Sequence, residues 1–236
     1  MTINGVKPIV LISACLLGKH VRYDGQHQKL DWLSASFKKS VIFIPLCPEV
    51  EMGLGVPRDT LRLVGKPAKM IVKRTGRDLT AHAQATSLRL LERLPRIDGC
   101  ILKSRSPSCG LRRVKRYSKS DKFSRTAQGL FATELKRADF KIPLVDETQL
   151  RNPAQRIAFF AQVYALAALR HAGDESSAKN RFHRELKPIL LLRDLQSLAK
   201  RVGKPGYQNS LRLALQRAPI QRLKRLLPRL FLKILK

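Results

Sequence analysis

Acid is what this chain of 236 residues has little of: 17 Asp and Glu stand against 47 Lys and Arg, a formal net charge of +30. A surface so basic attracts phosphate through counterion release without specifying a sequence. RNA, nucleotides or an acidic partner are therefore expected partners. Because the excess is spread along the chain, the same charge also reads as solvated helix faces. Aromatic residues are 6% and hydrophobic residues 44% of the chain, a globular composition rather than a disordered, collagenous or disulfide-rich one.

Several signatures are missing. There is no Cys-x-x-Cys pair, no H-E-x-x-H or other paired histidine spacing among the five histidines, and no G-x-S-x-G elbow. These absences exclude a histidine metal site and a hydrolase nucleophile elbow, and they weaken a paired-cysteine zinc site. Gly53-x-Gly55 lacks the third glycine and the following Asp of a dinucleotide fingerprint. No secretory signal is recognised: Met1 to Pro8 leads straight into Ile9-Val10-Leu11-Ile12 without a small-residue cleavage site. The charge-free apolar stretch Ile157 to Leu169 falls short of the roughly 20 residues a bilayer needs. The expectation is a cytoplasmic protein with no membrane span. Four cysteines in that setting are not a disulfide framework, which leaves metal ligation, catalysis or plain burial.

Up to about Leu150, short apolar runs alternate with amphipathic segments, the pattern of an α/β, Rossmann-like, mostly parallel sheet with flanking helices. The expected strands are Pro8 to Ser13, Val41 to Leu46, Lys69 to Val72, Gly99 to Leu102 and Ile142 to Val145. A crossover helix is expected over Asp78 to Leu94, with Leu79, Ala83, Leu90, Leu91 and Leu94 on one stripe and Pro95 beyond it. Asn152-Pro153 then opens a helix whose apolar stripe is Ile157, Phe160, Tyr164 and Ala168, ending at Gly173. Two further stripes follow: Leu191, Leu195, Leu198 and Val202, stopped by Gly203-Lys204-Pro205-Gly206, and Ile220 to Ile234, interrupted by Pro228. The expected division is residues 1–150 as the α/β domain and 151–236 as a small basic helical unit, which carries 19 Lys and Arg against 4 Asp and Glu.

Three cysteines fall at or just beyond strand ends. Ile9 to Ala14 runs into Cys15, Val41 to Leu46 runs into Cys47, and Gly99 to Lys103 leads to Cys109 after a short polar loop. In an open α/β sheet the carboxyl ends of the strands share one edge, and ligands bind in the crevice outside it. Thiols far apart in sequence can thus meet at one site. Structural zinc favours four protein ligands, whereas three cysteines on a four-iron cluster leave one iron open for chemistry. Buried cysteine near a strand is the plain alternative. Cys100 lies inside its strand and reads as core.

Five motifs, Ser13-Ala14-Cys15-Leu16-Leu17-Gly18, Arg22-Tyr23-Asp24-Gly25, Cys47-Pro48-Glu49-Val50, Gly53-Leu54-Gly55-Val56-Pro57-Arg58 and Ser106-Pro107-Ser108-Cys109-Gly110, together resemble the thiouracil desulfurase family. The likeness covers about residues 7–150 in order and includes Thr75-Gly76-Arg77-Asp78-Leu79-Thr80 ahead of the crossover helix. It implies that Cys15, Cys47 and Cys109 bind a [4Fe–4S] cluster whose fourth iron takes the sulfur of a thiolated, 2-thiouracil-like pyrimidine. It also implies that Glu49 and a serine, Ser106 before Ser108, do the proton chemistry.

The chemistry is consistent with these residue types. An open iron is a Lewis acid with affinity for soft sulfur, and the attacking water needs a base, which Glu49 supplies if a dry site moves its pKa toward neutrality. Capping of the following helix is the alternative for Glu49. Tyr23, Asp24 and Arg58 are the substrate-side candidates, although Asp24-Gly25 is also a turn signature, Tyr23 can be packing and Arg58 can be ion-paired. Gly53 and Gly55 let backbone pass close to the cluster or substrate. Some members of the family carry a second helical domain, which Phe182-His183-Arg184-Glu185-Leu186-Lys187 faintly resembles. The competing expectation is an RNA-binding or RNA-modification-associated module without turnover of its own.

Overall fold

A computed structural model describes residues 6–33, 39–118, 120–173 and 176–227. Its centre is a four-stranded, wholly parallel sheet in the order β2-β1-β5-β8, formed by β1 (Ile9–Ser13), β2 (Ile42–Leu46), β5 (Gly99–Leu102) and β8 (Leu144–Asp146). The two inner strands are near-continuous apolar runs because both their faces are covered: Val10, Leu11, Ile12, Cys100 and Ile101 have no exposed surface.

A second sheet, in the order β4-β3-β6-β7, comprises β3 (Leu61–Val64), β4 (Lys69–Val72), β6 (Val114–Tyr117) and β7 (Phe123–Ala127). Its β3–β4 and β6–β7 pairs are antiparallel, and β3 runs parallel to β6. The segment Lys69 to Val72, expected in the parallel sheet, is instead an edge strand here. The sequence reading did not anticipate β3, β6 and β7. Leu-Arg-Leu-Val, Val-Lys-Arg-Tyr and Phe-Ser-Arg-Thr-Ala alternate too shortly to stand out, because only one face of this sheet is packed. That inner face carries Leu61, Leu63, Met70, Val72, Val114 and Ala127.

Helix α1 (Pro48–Glu51) follows β2, α2 (Thr80–Glu92) joins β4 to β5, and α3 (Leu130–Arg137) follows β7. The expected crossover helix is present, but it serves two cores. Leu79 and Ala83 pack in the core of the second sheet, whereas Leu90, Leu91 and Leu94 pack in the core of the first.

Asn152 caps α4 (Pro153–His171): its Oδ1 accepts from the N–H of Ala154 at 2.8 Å. From Phe159 to Leu169 this helix is buried all round, and apart from Gln162 that stretch is apolar all round, as a helix so buried must be. One side rests on β5, where a Cβ at Gly99 would lie 2.6 Å from Val163, and Arg170 pairs with Asp98 at 2.8 Å. Its other side receives α5 (Ser176–Glu185), α7 (Tyr207–Arg217) and α8 (Ile220–Leu223). By packing, α4 therefore belongs to the core of the sheet domain as much as to the extension. Helix α6 (Leu192–Ala199) matches the second expected stripe, with Leu198 buried. The third stripe is seen as α8 and a 3₁₀ turn over Lys224–Leu226, and its remainder lies outside the described residues. Among the described residues no helix is long and apolar enough to cross a membrane.

Candidate functional site

The carboxyl edge of the parallel sheet opens into a cavity of about 440 Å³ lined by Cys15, Cys47 and Cys109. Cys15 lies in the 3₁₀ turn Ala14–Leu17 directly after β1, and Gly18 ends that turn at φ +93°, a conformation that favours glycine. Cys47 is the N-cap of α1, with Pro48 in the first turn; its thiol makes no cap hydrogen bond but donates to the Val21 carbonyl at 3.7 Å, and the backbone N–H groups of Val50 and Glu49 lie on its side. Cys109 sits in the loop after β5, where the Ser106 hydroxyl oxygen accepts from the N–H groups of Ser108 and Cys109 at 3.1 and 3.0 Å. That loop is braced by Gly129, whose N–H donates to the Gly110 carbonyl at 2.8 Å. A Cβ at Gly129 would stand 2.3 Å from the Ser108 carbonyl oxygen, so only glycine fits.

The three thiols influence one another. Burial pushes Cys15 up to about 11, the nearby Cys47 adds to this, and Lys103 and Arg22 oppose it. Burial raises Cys47 as well, with the two N–H groups pulling against it. Cys109 is held well above the ordinary thiol range by burial, then by Cys47, Glu49 and Cys15, while the Ser13 hydroxyl opposes the shift. Cys100 is raised by burial alone and does not line the cavity. Among the described residues no three His, Cys, Asp or Glu side chains close around a single ion.

Glu49 stands on the wall beside these thiols. Its Oε2 accepts from Arg58 Nη2 at 2.6 Å and Nε at 3.1 Å, and its Oε1 accepts from Ser108 Oγ at 3.0 Å and Ser106 Oγ at 3.4 Å. The carboxylate is thus turned toward Arg58 and the serines. Arg58 also donates to the carbonyls of Gly55 and Val21, both at 3.0 Å. It is an ion-pair partner of Glu49 rather than an unpaired anion site. Ser106 lines the cavity, whereas Ser108 is 2% exposed and lies behind it. Tyr23 is at the rim, 43% exposed, with the Arg22 guanidinium 5.7 Å from its ring centre. Asp24 does not line the cavity: it pairs with Arg22 at 3.0 Å and accepts from the N–H of Gln26, closing the turn.

A second polar cluster escaped the sequence reading. Lys103 Nζ donates to Glu147 Oε1 at 2.5 Å, and the Ser104 N–H and Oγ each donate to the same carboxylate at 2.6 Å. All three residues line the cavity. Lys103 and Ser104 directly follow β5 and Glu147 directly follows β8, so listing every residue just past a parallel strand would have found them.

The model of a family described as 2-thiouracil desulfurase matches residues 10–147. YbbK of Bacillus subtilis (strain 168), an uncharacterized protein, is 26% identical over 155 residues, covering 61% of this chain and 99% of YbbK. A solved structure of TudS, a [4Fe-4S]-dependent thiouracil desulfidase, is 32% identical and superposes with a TM-score of 0.50, covering 61% of this chain and 94% of that one. The family match contains the cavity's three cysteines, Glu49, Arg58 and both serines, and the chain belongs to the 2-thiouracil desulfurase family.

Proposed function

We propose that this protein is an iron–sulfur-dependent desulfurase that takes sulfur from a thiolated pyrimidine, with Cys15, Cys47 and Cys109 as the ligands of a [4Fe–4S] cluster. The observation that carries this reading is three buried thiols from three strand ends facing one cavity beside a carboxylate–serine pair. The donor set fits the group. Burial and mutual proximity disfavour three thiolates, and a cationic iron centre offsets both effects.

When bound, the cluster supplies an iron without a protein ligand, a Lewis acid for soft sulfur. The chain's own residues do the rest. A cavity of about 440 Å³ is within the usual range for a small-molecule site. The Tyr23 ring at the rim offers a face to a pyrimidine. Glu49 takes a proton from the attacking water, and Arg58 holds that carboxylate in position. Ser106, facing the cavity within 3.4 Å of Glu49, passes a proton toward the departing sulfur, while Ser108 positions the carboxylate from behind. Lys103, anchored by Glu147, fixes a positive charge on the Cys15 side.

Anaerobic purification or reconstitution followed by iron and sulfide analysis and incubation with 2-thiouracil tests this. Near-stoichiometric cluster and release of sulfide are expected. A colourless protein that neither takes up iron nor desulfurates 2-thiouracil would overturn the reading.

A further inference from the structure

The second sheet has a face that nothing in the described structure covers. Leu61, Leu63, Met70, Val72 and Val114 point into the core by strand alternation, and a register irregularity between β6 and β7 turns Ala127 inward as well, while Arg62, Val64, Lys115, Tyr117, Phe123 and Arg125 point outward. On this outer face the register aligns Val64, Tyr117 and Phe123 side by side across three strands. The two rings are 5.7 Å apart and tilted by 53°. Phe123 is 47% exposed.

Each ring carries cations. Lys115 Nζ lies 4.2 Å and the Arg125 guanidinium 5.5 Å from the Phe123 centre, and the Arg62 guanidinium lies 5.4 Å from that of Tyr117. Among the described residues, carboxylates reach this face only where Asp121 pairs with Arg62 and Asp78 with Lys69. Lys115, Lys122 and Arg125 have no carboxylate partner among the described residues.

We infer that this face is a docking surface for single-stranded nucleic acid. Adjacent rings on an open sheet offer stacking platforms to unpaired bases, and the Lys115 and Arg125 cations, 4.2 and 5.5 Å from the Phe123 centre, are placed for the phosphates between them. A protein partner fits less well, since the cores of protein interfaces are depleted of charge and this face alternates ring and cation. The surface is separate from the thiol cavity, so the inference stands whether or not the desulfurase reading does.

The test is fluorescence anisotropy of the full-length protein with labelled 12-nucleotide oligouridylate, with oligothymidylate and a 12-base-pair RNA duplex in parallel. The single strands are expected to bind with salt-dependent affinity and the duplex much more weakly, and the ratio of the RNA to the DNA strand tells which of them the surface favours. Phe123→Ala should lower single-strand affinity by about 5- to 150-fold, the span of one lost base stack. Phe123→Leu, which keeps the bulk but not the ring, should lose as much, and Phe123→Tyr should restore binding. Lys115→Gln with Arg125→Gln should flatten the log–log salt slope by about 1.4. Binding that survives both Phe123→Ala and Phe123→Leu would overturn the inference. So would an equal loss from Lys200→Gln with Arg201→Gln in the turn after α6, equal affinity for the duplex, or no binding.

Discussion

Replacing Glu49 by Gln separates its possible roles most sharply. The carboxylate does not cap α1: its oxygens accept from Arg58, Ser108 and Ser106. The substitution keeps the shape and removes the charge, leaving Arg58, whose side chain is 5% exposed, without its counter-ion. Breaking a buried pair from one side costs about 3–5 kcal/mol, and the low end applies because Arg58 retains two carbonyl acceptors. For a chain of this length about 3 kcal/mol lowers the melting temperature by roughly 6–12 °C. Loss of general acid–base catalysis should lower the rate of sulfide release by about 10²–10⁴. Arg58→Gln is the control: it breaks the same pair with a similar loss of stability, yet keeps a carboxylate bonded to Ser108, so its rate should fall less. Iron content, melting temperature and turnover of 2-thiouracil are measured on the same anaerobic preparations. A fully clustered, folded Glu49→Gln protein that desulfurates at the parent rate would refute the role given to Glu49.

Other outcomes are expected from the same geometry. Cys15→Ala, Cys47→Ala and Cys109→Ala should each prevent iron incorporation, whereas Cys100→Ala, a fully buried residue away from the cavity, should keep the cluster, as iron analysis will tell. In the metal-free protein, iodoacetamide should label Cys15 at pH 8 about 100-fold more slowly than an unfolded cysteine, because a thiol moved from 9.0 to about 11 has that much less thiolate. Its folded-state value lies above the unfolded one, so Cys15 contributes stability below pH 9 that is lost as the pH rises toward 11; apo-protein melting temperatures across that window check the sign. Residues 1–150 alone should be insoluble or unfolded, since Phe159, Phe160, Val163 and Tyr164 are each at most 2% exposed against the sheet core and losing even one such aromatic costs about 3–5 kcal/mol. A fragment ending at Gly173 should retain more structure by circular dichroism. Gly129→Ala should disturb the Cys109 loop and lower both iron content and melting temperature.

Much of the parallel sheet was legible because strands buried on both faces are written as apolar runs, as in Ile9–Ser13 and Gly99–Leu102. The thiol site was legible for a related reason: carboxyl ends of parallel strands share an edge, so Cys15 and Cys47 are placed by the strands they end. The second sheet was not, since Val114–Tyr117 and Phe123–Ala127 show only short alternation amid charge. Ion pairing was also hidden, because Glu49 and Arg58 are nine positions apart and are brought together by the bend after α1. A carboxylate alone in a dry pocket would let Glu49→Gln leave stability nearly unchanged; the buried Arg58 pair is why a loss of stability is expected. The boundary at residue 150 followed the change from alternating strands and helices to helix alone, a change of local pattern that does not say what Pro153–His171 packs on.

The placement of β1 between β2 and β5 also has a consequence for the order of events during synthesis. Cys15 and Cys47 leave the ribosome while the strand that completes their cavity is still unmade. At 5–20 residues per second, the 62 positions from Cys47 to Cys109 take about 3–12 s to translate. Until Gly99–Leu102 is made β1 lacks one of its two neighbours, and for the whole interval the Cys15 and Cys47 thiols are without the Cys109 loop that later encloses them. The growing chain therefore passes through a period when these sulfurs are open to oxidation or to stray metals, and a reducing surrounding matters most then rather than after folding.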